Sequence, residues 1–176
     1  MKSSRLIALG VLVVALVGGA AAFLGTRQPA STITPVNPLV GTKAPAIHAN
    51  VLGGGTFSLS SLKGHVVFVN FWASWCGPCV TEAPELSTFA WSHRGTNVDV
   101  LGVVFSDSLS VAQDFEKHYG SLYPSIIDAN GTIANELGVT SPPTTLVIDQ
   151  HGVIRAVAYG AQTLKSLNRL LAQVRS

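Results

Sequence analysis

The only two cysteines of this 176-residue chain are Cys76 and Cys79, within the sequence NFWASWCGPC. A disulfide between them would close so short a loop that it removes only roughly 2 kcal/mol of unfolded-chain entropy. A stabilising cross-link is therefore a poor explanation for the presence of the two cysteines. On a helix, the second sulfur would lie one turn beyond the first. Two sulfurs in this arrangement favour exchange of a disulfide with another molecule.

The residues around the pair indicate a reactive first cysteine. If a helix begins at Cys76, its unpaired backbone N–H groups and its dipole favour a thiolate there and lower the pKa of the thiol. Cys79 is then placed to attack the mixed disulfide that Cys76 forms. Gly77 allows a partner to approach closely, and Pro78 supplies a helical φ near the helix start. We expect Trp75 to cover the groove beside the first cysteine.

The remaining pattern predicts an α/β domain with a mixed central sheet and helices on both faces, because strands alternate with helices early and end in a hairpin. Apolar runs predict covered strands at residues 66–72 and 98–105. The other predicted elements are helices at 77–93, 109–119, 130–137 and 163–174, strands at 124–128, 144–149 and 153–159, and a small extra hairpin within 51–62.

The chain starts with a segment suited to a membrane. Residues 6–25 carry no charge and are long enough to cross roughly 30 Å of hydrocarbon. Lys2 and Arg5 should stay on the cytoplasmic side, which sends the rest of the chain across the membrane. The alternative is a cleaved signal peptide, because small residues at 18–22 could supply a cleavage site. Either interpretation predicts an exported domain.

Composition divides the rest of the chain into a linker and one domain. Residues 26–40 contain three prolines and clusters of Ser and Thr, which predicts a semi-extended linker. Residues 41–176 suffice for one substantial core. They carry eight Lys or Arg against nine Asp or Glu, so they offer no excess of basic charge for nucleic acid. The five histidines show no ligand spacing, so we expect no metal site.

Two motifs resemble those of the thioredoxin superfamily, and more narrowly the membrane-tethered thiol-disulfide oxidoreductases grouped with TlpA, ResA and CcmG. They are FWASWCGPC at residues 71–79, followed by Glu82 and Pro84, and GVTSPPTTLVID at residues 138–149. The resemblance covers residues 41–176. It implies a thioredoxin fold with an extra N-terminal β-hairpin and a central strand-helix insertion. It also implies a redox-active Cys-Cys disulfide and no bound cofactor.

The resemblance implies further site residues. Pro143 would be a cis-proline opposite the cysteines, where it shapes the groove for an extended substrate; a cis bond is cheap only before proline. Pro142 departs from the usual pattern, because it lacks an N–H that many members offer to a bound peptide. Thioredoxin has a buried aspartate six positions before the first cysteine, where this chain has Asn70. We therefore expect Glu82, partly desolvated and with a raised pKa, to take the proton of Cys79.

The expected activity is dithiol-disulfide exchange outside the cytoplasm, with exported protein thiols and disulfides as partners. The resemblance to the cytochrome c maturation group implies a reductant, which a membrane electron donor would reduce again after each reaction. The alternative is an oxidant that passes electrons to a membrane acceptor. A thiol peroxidase is disfavoured because Ala73 stands where that class has a threonine. A Sco-like copper protein is disfavoured because three residues separate the two cysteines in that group, whereas only two separate them here. We expect a monomer that contacts the membrane through residues 6–25.

Overall fold

A five-stranded sheet positions the cysteine pair, and a two-stranded hairpin precedes it. The computed structural model of the protein describes residues 37–175. Its strands are β1 (His48–Asn50), β2 (Thr56–Ser58), β3 (Val66–Trp72), β4 (Val98–Phe105), β5 (Ser125–Asp128), β6 (Thr144–Ile148) and β7 (Ile154–Tyr159). Its helices are α1 (Gly77–Ser92), α2 (Leu109–Tyr119), α3 (Thr132–Glu136) and α4 (Leu164–Arg175), with a 3₁₀ helix at Leu59–Leu62.

The sheet is mixed, as the sequence predicts. Its strand order is β5-β4-β3-β6-β7. Strand β3 pairs in parallel with β4, which pairs in parallel with β5, whereas β6 runs antiparallel to both β3 and β7. All seven residues of β3 are buried, because it is the central strand and both of its faces are covered.

Alternate residues of the central strands supply two cores. On one face Phe68 packs with Phe89 of α1 and Leu167 of α4. On the other face Val69 packs with Ile133 of α3 and with residues near the hairpin. This alternation follows from the period of two in a strand, and it places helices on both faces of the sheet. The predicted thioredoxin fold is confirmed.

The hairpin lies earlier in the chain than the sequence indicates. Strand β2 (residues 56–58) lies within the predicted range 51–62, but its partner β1 (residues 48–50) precedes that range. Gly54 and Gly55 occupy the turn with φ values of 103° and 84°, a conformation that glycine adopts without strain. Leu59 and Leu62 are three residues apart and both pack on the core, so this stretch winds into a 3₁₀ helix.

Contacts with the core begin slightly before residue 41. Leu39 packs against the core, and the Gly41 N–H donates to the Ile154 carbonyl at 2.8 Å. The predicted membrane segment, residues 6–25, and most of the predicted linker lie outside the described residues. Within residues 37–175, none of the helices has the length and apolar character needed to cross a membrane.

Gly102 leaves the space in which the side chains of Ser125 and Trp72 meet. A Cβ at this position of β4 would collide with Ser125 Oγ and would lie 2.8 Å from Trp72 Nε1, which themselves share a hydrogen bond of 3.2 Å. We expect Gly102→Ala to lower the free energy of unfolding by about 1–3 kcal/mol through overpacking, measured by urea titration. Gly53→Ala is the control, because a Cβ there meets nothing within 4 Å. Equal stability of the two variants would contradict this account.

Candidate active site at the start of helix α1

The cysteines lie at the junction between β3 and α1. Cys76 is the N-cap residue of α1, and its Sγ accepts a hydrogen bond of 3.3 Å from the Cys79 backbone N–H. Pro78 lies in the first two helical positions, as the sequence predicts. The two sulfurs form a disulfide with Cα atoms 5.3 Å apart. The helix start therefore directs an N–H donor at the first sulfur, which suits a developing negative charge.

Exposed residues form a rim around this disulfide. Trp75 is 58% exposed and its Nε1 donates to the Ser106 carbonyl at 3.2 Å, while Gly77 and Pro78 are also exposed. A Cβ at Gly77 would meet nothing within 4 Å, so the packing of the domain does not demand glycine there. Cys76 itself is only 4% exposed. The sequence predicts that a partner can reach the first sulfur, whereas in the disulfide form Cys76 is buried beside the exposed residues of the rim.

The segment that contains Pro142 and Pro143 lies at the same edge of the sheet as the cysteines. Strand β6 begins at Thr144, which pairs with Phe71 just before β3 leads into the cysteine turn. The Pro142–Pro143 peptide bond is cis, as the resemblance implies. Pro143 is buried and its carbonyl accepts from the Gly160 N–H at 3.0 Å, whereas Pro142 is half-buried. Both prolines therefore come directly before the strand that pairs with the end of β3, next to the cysteine turn.

Glu82 lies on α1, one turn after Cys79, and is 1% exposed. Its Oε2 accepts from Asn70 Nδ2 at 3.0 Å and its Oε1 accepts from the Gln162 backbone N–H at 2.8 Å. Burial raises the pKa of Glu82 to about 7, although these two hydrogen bonds oppose the shift. A carboxyl with this pKa changes protonation state near neutral pH, which suits an acid-base group.

A row of small and polar residues crosses the sheet beneath α1. Ser125, Gly102, Asn70 and Thr145 are neighbours in register on four successive strands. Asn70 Nδ2 also donates to Thr145 Oγ1 at 3.0 Å, so the row fixes the amide that holds Glu82. Sequence reasoning identified Asn70 but missed its hydroxyl partner Thr145. A hydroxyl residue inside an otherwise apolar strand was the available signal.

A small cavity lies between this row and the helices. Its volume is about 10 Å³, and its lining includes Cys79, Glu82, Asn70, Glu116 and Tyr123. Glu116 comes from α2 and is half-buried, and its pKa is raised by burial. Sequence reasoning also missed this second carboxyl, because the pattern of α2 gives no sign of which residues face the cysteines.

The two sulfurs otherwise have apolar neighbours. The cluster around them includes Leu52, Trp72 and Val104 from three different segments. Trp72 is buried, as expected, and its ring stacks on that of Phe115 with centroids 4.8 Å apart. Among residues 37–175, no three His, Cys, Asp or Glu side chains are grouped so that they could hold a metal ion. The redox group of the site is the disulfide itself.

Comparison with known proteins agrees with this geometry. The family model described as Redoxin matches residues 39–171. The chain is 29% identical over 136 residues to the thiol-disulfide oxidoreductase ResA of Geobacillus kaustophilus, covering 77% of this chain and 78% of that protein.

Two solved structures share the fold. One, from Chlorobium tepidum, is provisionally assigned as the thiol:disulfide interchange protein DsbE (TM-score 0.71, 27% identity, 77% of this chain and 97% of that one). The other is a secreted thiol-disulfide isomerase from Corynebacterium glutamicum (TM-score 0.68, 31% identity, 76% of this chain and 86% of that one). With its Cys76–Cys79 disulfide at the start of a helix, the chain belongs to the Redoxin family of the thioredoxin superfamily and is a thiol-disulfide oxidoreductase similar to ResA and CcmG.

Proposed function

We propose that the protein is an extracytoplasmic reductant that transfers electrons from Cys76 and Cys79 to disulfides of exported proteins, as in cytochrome c maturation. The observation that carries this proposal is the chemistry around the pair. The described residues that line the cavity behind Cys79 include two Glu and no Lys, Arg or His. Weak stabilisation of a thiolate gives the reduced protein little advantage over the disulfide form. The cysteine pair is then easily oxidised, which makes it a donor of electrons.

The reaction divides between the two sulfurs and one carboxyl. The Cys76 thiolate attacks a substrate disulfide, forms a mixed disulfide and releases one substrate sulfur. Glu82 then removes the proton from Cys79, and the resulting thiolate attacks Cys76 Sγ. The second substrate sulfur leaves as a thiolate and the Cys76–Cys79 disulfide forms. Two electrons have passed to the substrate.

The rim around the disulfide forms the substrate groove in this proposal. Trp75, Gly77 and Pro78 border Cys76 on one side, and Pro142 and Pro143 border the opposite side. An extended segment suits a narrow groove of this kind, and a Pro142 without an N–H makes side-chain contacts more important than strand-like pairing there. Because the disulfide is buried below this rim, only a partner that fits between its walls reaches Cys76.

We also propose that residues 6–25 hold the domain at the outer face of a membrane as a monomer, with residues 26–40 as the linker. The similar isomerase of Corynebacterium glutamicum is described as secreted, which supports a location outside the cytoplasm. A membrane electron donor would then regenerate the dithiol. Protease treatment of intact and permeabilised cells tests this location: the domain should be degraded before the cytoplasmic membrane is opened.

The reduction potential tests the direction of electron flow. At equilibrium with a thiol-disulfide buffer of known poise, we expect a potential near that of thioredoxin, about −270 mV. The reason is that a single N–H at 3.3 Å and apolar neighbours give the Cys76 thiolate limited stabilisation. Quenching the mixture with acid and counting alkylated thiols by mass spectrometry measures the reduced fraction. A potential near −120 mV would instead support the oxidant alternative.

A further inference from the structure

Glu116 provides a second carboxyl that the mechanism above does not use. It reaches from α2 into the cavity that also borders Cys79 and Glu82. The volume of about 10 Å³ leaves room for about one water molecule. A water in such a place is stable when it has two to four polar partners.

Two buried atoms around the cavity need such a partner. In the described structure, Asn70 Oδ1 and Glu116 Oε1 are buried and make no hydrogen bond. Asn70 is 1% exposed, and its other amide atom already donates to Glu82 and Thr145. A buried acceptor without a partner is costly, and one water that donates a hydrogen to each oxygen removes both costs. Both residues line the cavity, as Glu82 does.

We propose that this water and Glu116 form a proton path that links the Cys79–Glu82 pair with solvent. The inference rests on the proposed role of Glu82 as the base. When Cys79 loses its proton to Glu82, its electron pair forms the bond to Cys76 Sγ and the substrate sulfur leaves as a thiolate. The Glu82 proton then passes through the water to the Glu116 carboxylate, which is half-buried and releases it to solvent.

The ionisable groups around the cavity fit this path. Glu82 faces it from α1, Glu116 and Tyr119 from α2, and Tyr123 from the segment before β5. Burial raises the pKa of both carboxyls, and a hydrogen bond from Ser125 opposes the shift at Glu116. The pKa of Tyr123 is raised by burial and by the charges of both carboxyls, so its hydroxyl keeps its proton. Burial thus favours the protonated form at each of the two carboxyls.

Glu116→Gln in the full chain tests the path. The Cys76 mixed disulfide with glutathione is formed first, and its resolution by Cys79 is followed by rapid acid quench and mass spectrometry. In dilute buffer at neutral pH we expect resolution to slow by roughly tenfold, a part of what acid-base groups contribute. Added imidazole, a small proton carrier, should restore the rate of the variant and leave that of the wild type unchanged. A purely structural role for Glu116 would give no such rescue.

Matched variants separate this inference from the proposed function. Asp114→Asn makes the same charge change on α2 at an exposed side chain and should behave as wild type. If Glu82→Gln is slow but Glu116→Gln resolves at the wild-type rate in every buffer, the path is wrong and the role of Glu82 stands. If both resolve at the wild-type rate, the role of Glu82 fails as well.

A second approach does not depend on the folding of Glu116→Gln. Ala83 also lines the cavity, and Ala83→Val fills it while both carboxyls remain. This variant should show the same slow resolution and the same rescue by imidazole. A high-resolution crystal structure of the wild type should show a water bonded to Asn70 Oδ1 and Glu116 Oε1. A cavity without that water would overturn the proposal.

Discussion

A Cys79→Ser variant is expected to accumulate as a mixed disulfide with its substrates and to lose turnover altogether. The chain has no third cysteine that could replace the resolving thiol, so the intermediate on Cys76 has no intramolecular exit. Expressed in cells and purified under denaturing, non-reducing conditions, the variant should carry exported proteins that dithiothreitol releases. Mass spectrometry of the released proteins would identify the substrates.

Cys76→Ser is the matched control for this experiment. The two cysteines are almost equally covered, at 4% and 2% exposure, so exposed area alone does not decide which sulfur reacts with substrate. The distinguishing feature is the position of Cys76 at the start of α1, where a backbone N–H points at its Sγ. We expect Cys76→Ser to trap nothing. Equal trapping by the two variants would contradict the assignment of Cys76 as the nucleophile.

Glu82→Gln is expected to slow resolution of the mixed disulfide by about 100-fold at neutral pH, the lower end of the range for general base catalysis. The amide keeps the volume of the side chain but cannot take the Cys79 proton. The wild-type rate should rise with pH through about 7, the pKa to which burial raises Glu82, and the variant should lack this inflection. Quenched-flow measurement of resolution across neutral pH tests both expectations.

The same carboxyl gives an independent readout in stability. The pKa of Glu82 is raised in the folded protein from 4.5 to about 7, so the folded state holds this proton more tightly than the unfolded state. The resulting stabilisation is fully present below about pH 4.5 and is lost as pH rises through about 7. At 1.36 kcal/mol per pKa unit, the loss amounts to up to about 3 kcal/mol.

Glu85→Gln is the control for both measurements. It makes the same chemical change on α1, three residues beyond Glu82, where the Glu85 carboxylate accepts from the Leu164 N–H at 2.6 Å instead of facing the cysteines. This variant should keep the pH-dependent rate and the pH-dependent stability of the wild type. A flat pH profile in the wild type, or an inflection that survives in Glu82→Gln, would assign the base to another group.

The sequence predicts the fold closely because most signals that define it are local. The run of apolar residues in β3 requires a strand covered on both faces, and the spacing around the cysteines requires a helix that begins beside Cys76. The hairpin was predicted to start at residue 51, three residues after the actual start of β1 at His48. Short strands carry too little pattern to fix their own ends.

The network behind Cys79 was only partly predictable. Glu82 was identified because it follows Cys79 at a helical spacing within a recognisable motif. Its partners Asn70 and Gln162 come from segments 12 and 80 residues away, so strand register and loop packing bring them together. Glu116 reaches the cavity only through the packing of α2 on the sheet. Contacts of this range depend on the folded structure and leave no periodic signal in the sequence.

The pH dependence of alkylation of the reduced protein by iodoacetamide tests the central claim most directly, because iodoacetamide reacts with thiolates. Peptide mapping assigns the modified sulfur. We predict that Cys76 is alkylated first, with a midpoint below the pKa of a free cysteine, about 8.5, because the start of α1 stabilises its thiolate. Alkylation of Cys76 with a midpoint at or above that value, or faster alkylation of Cys79, would contradict the account.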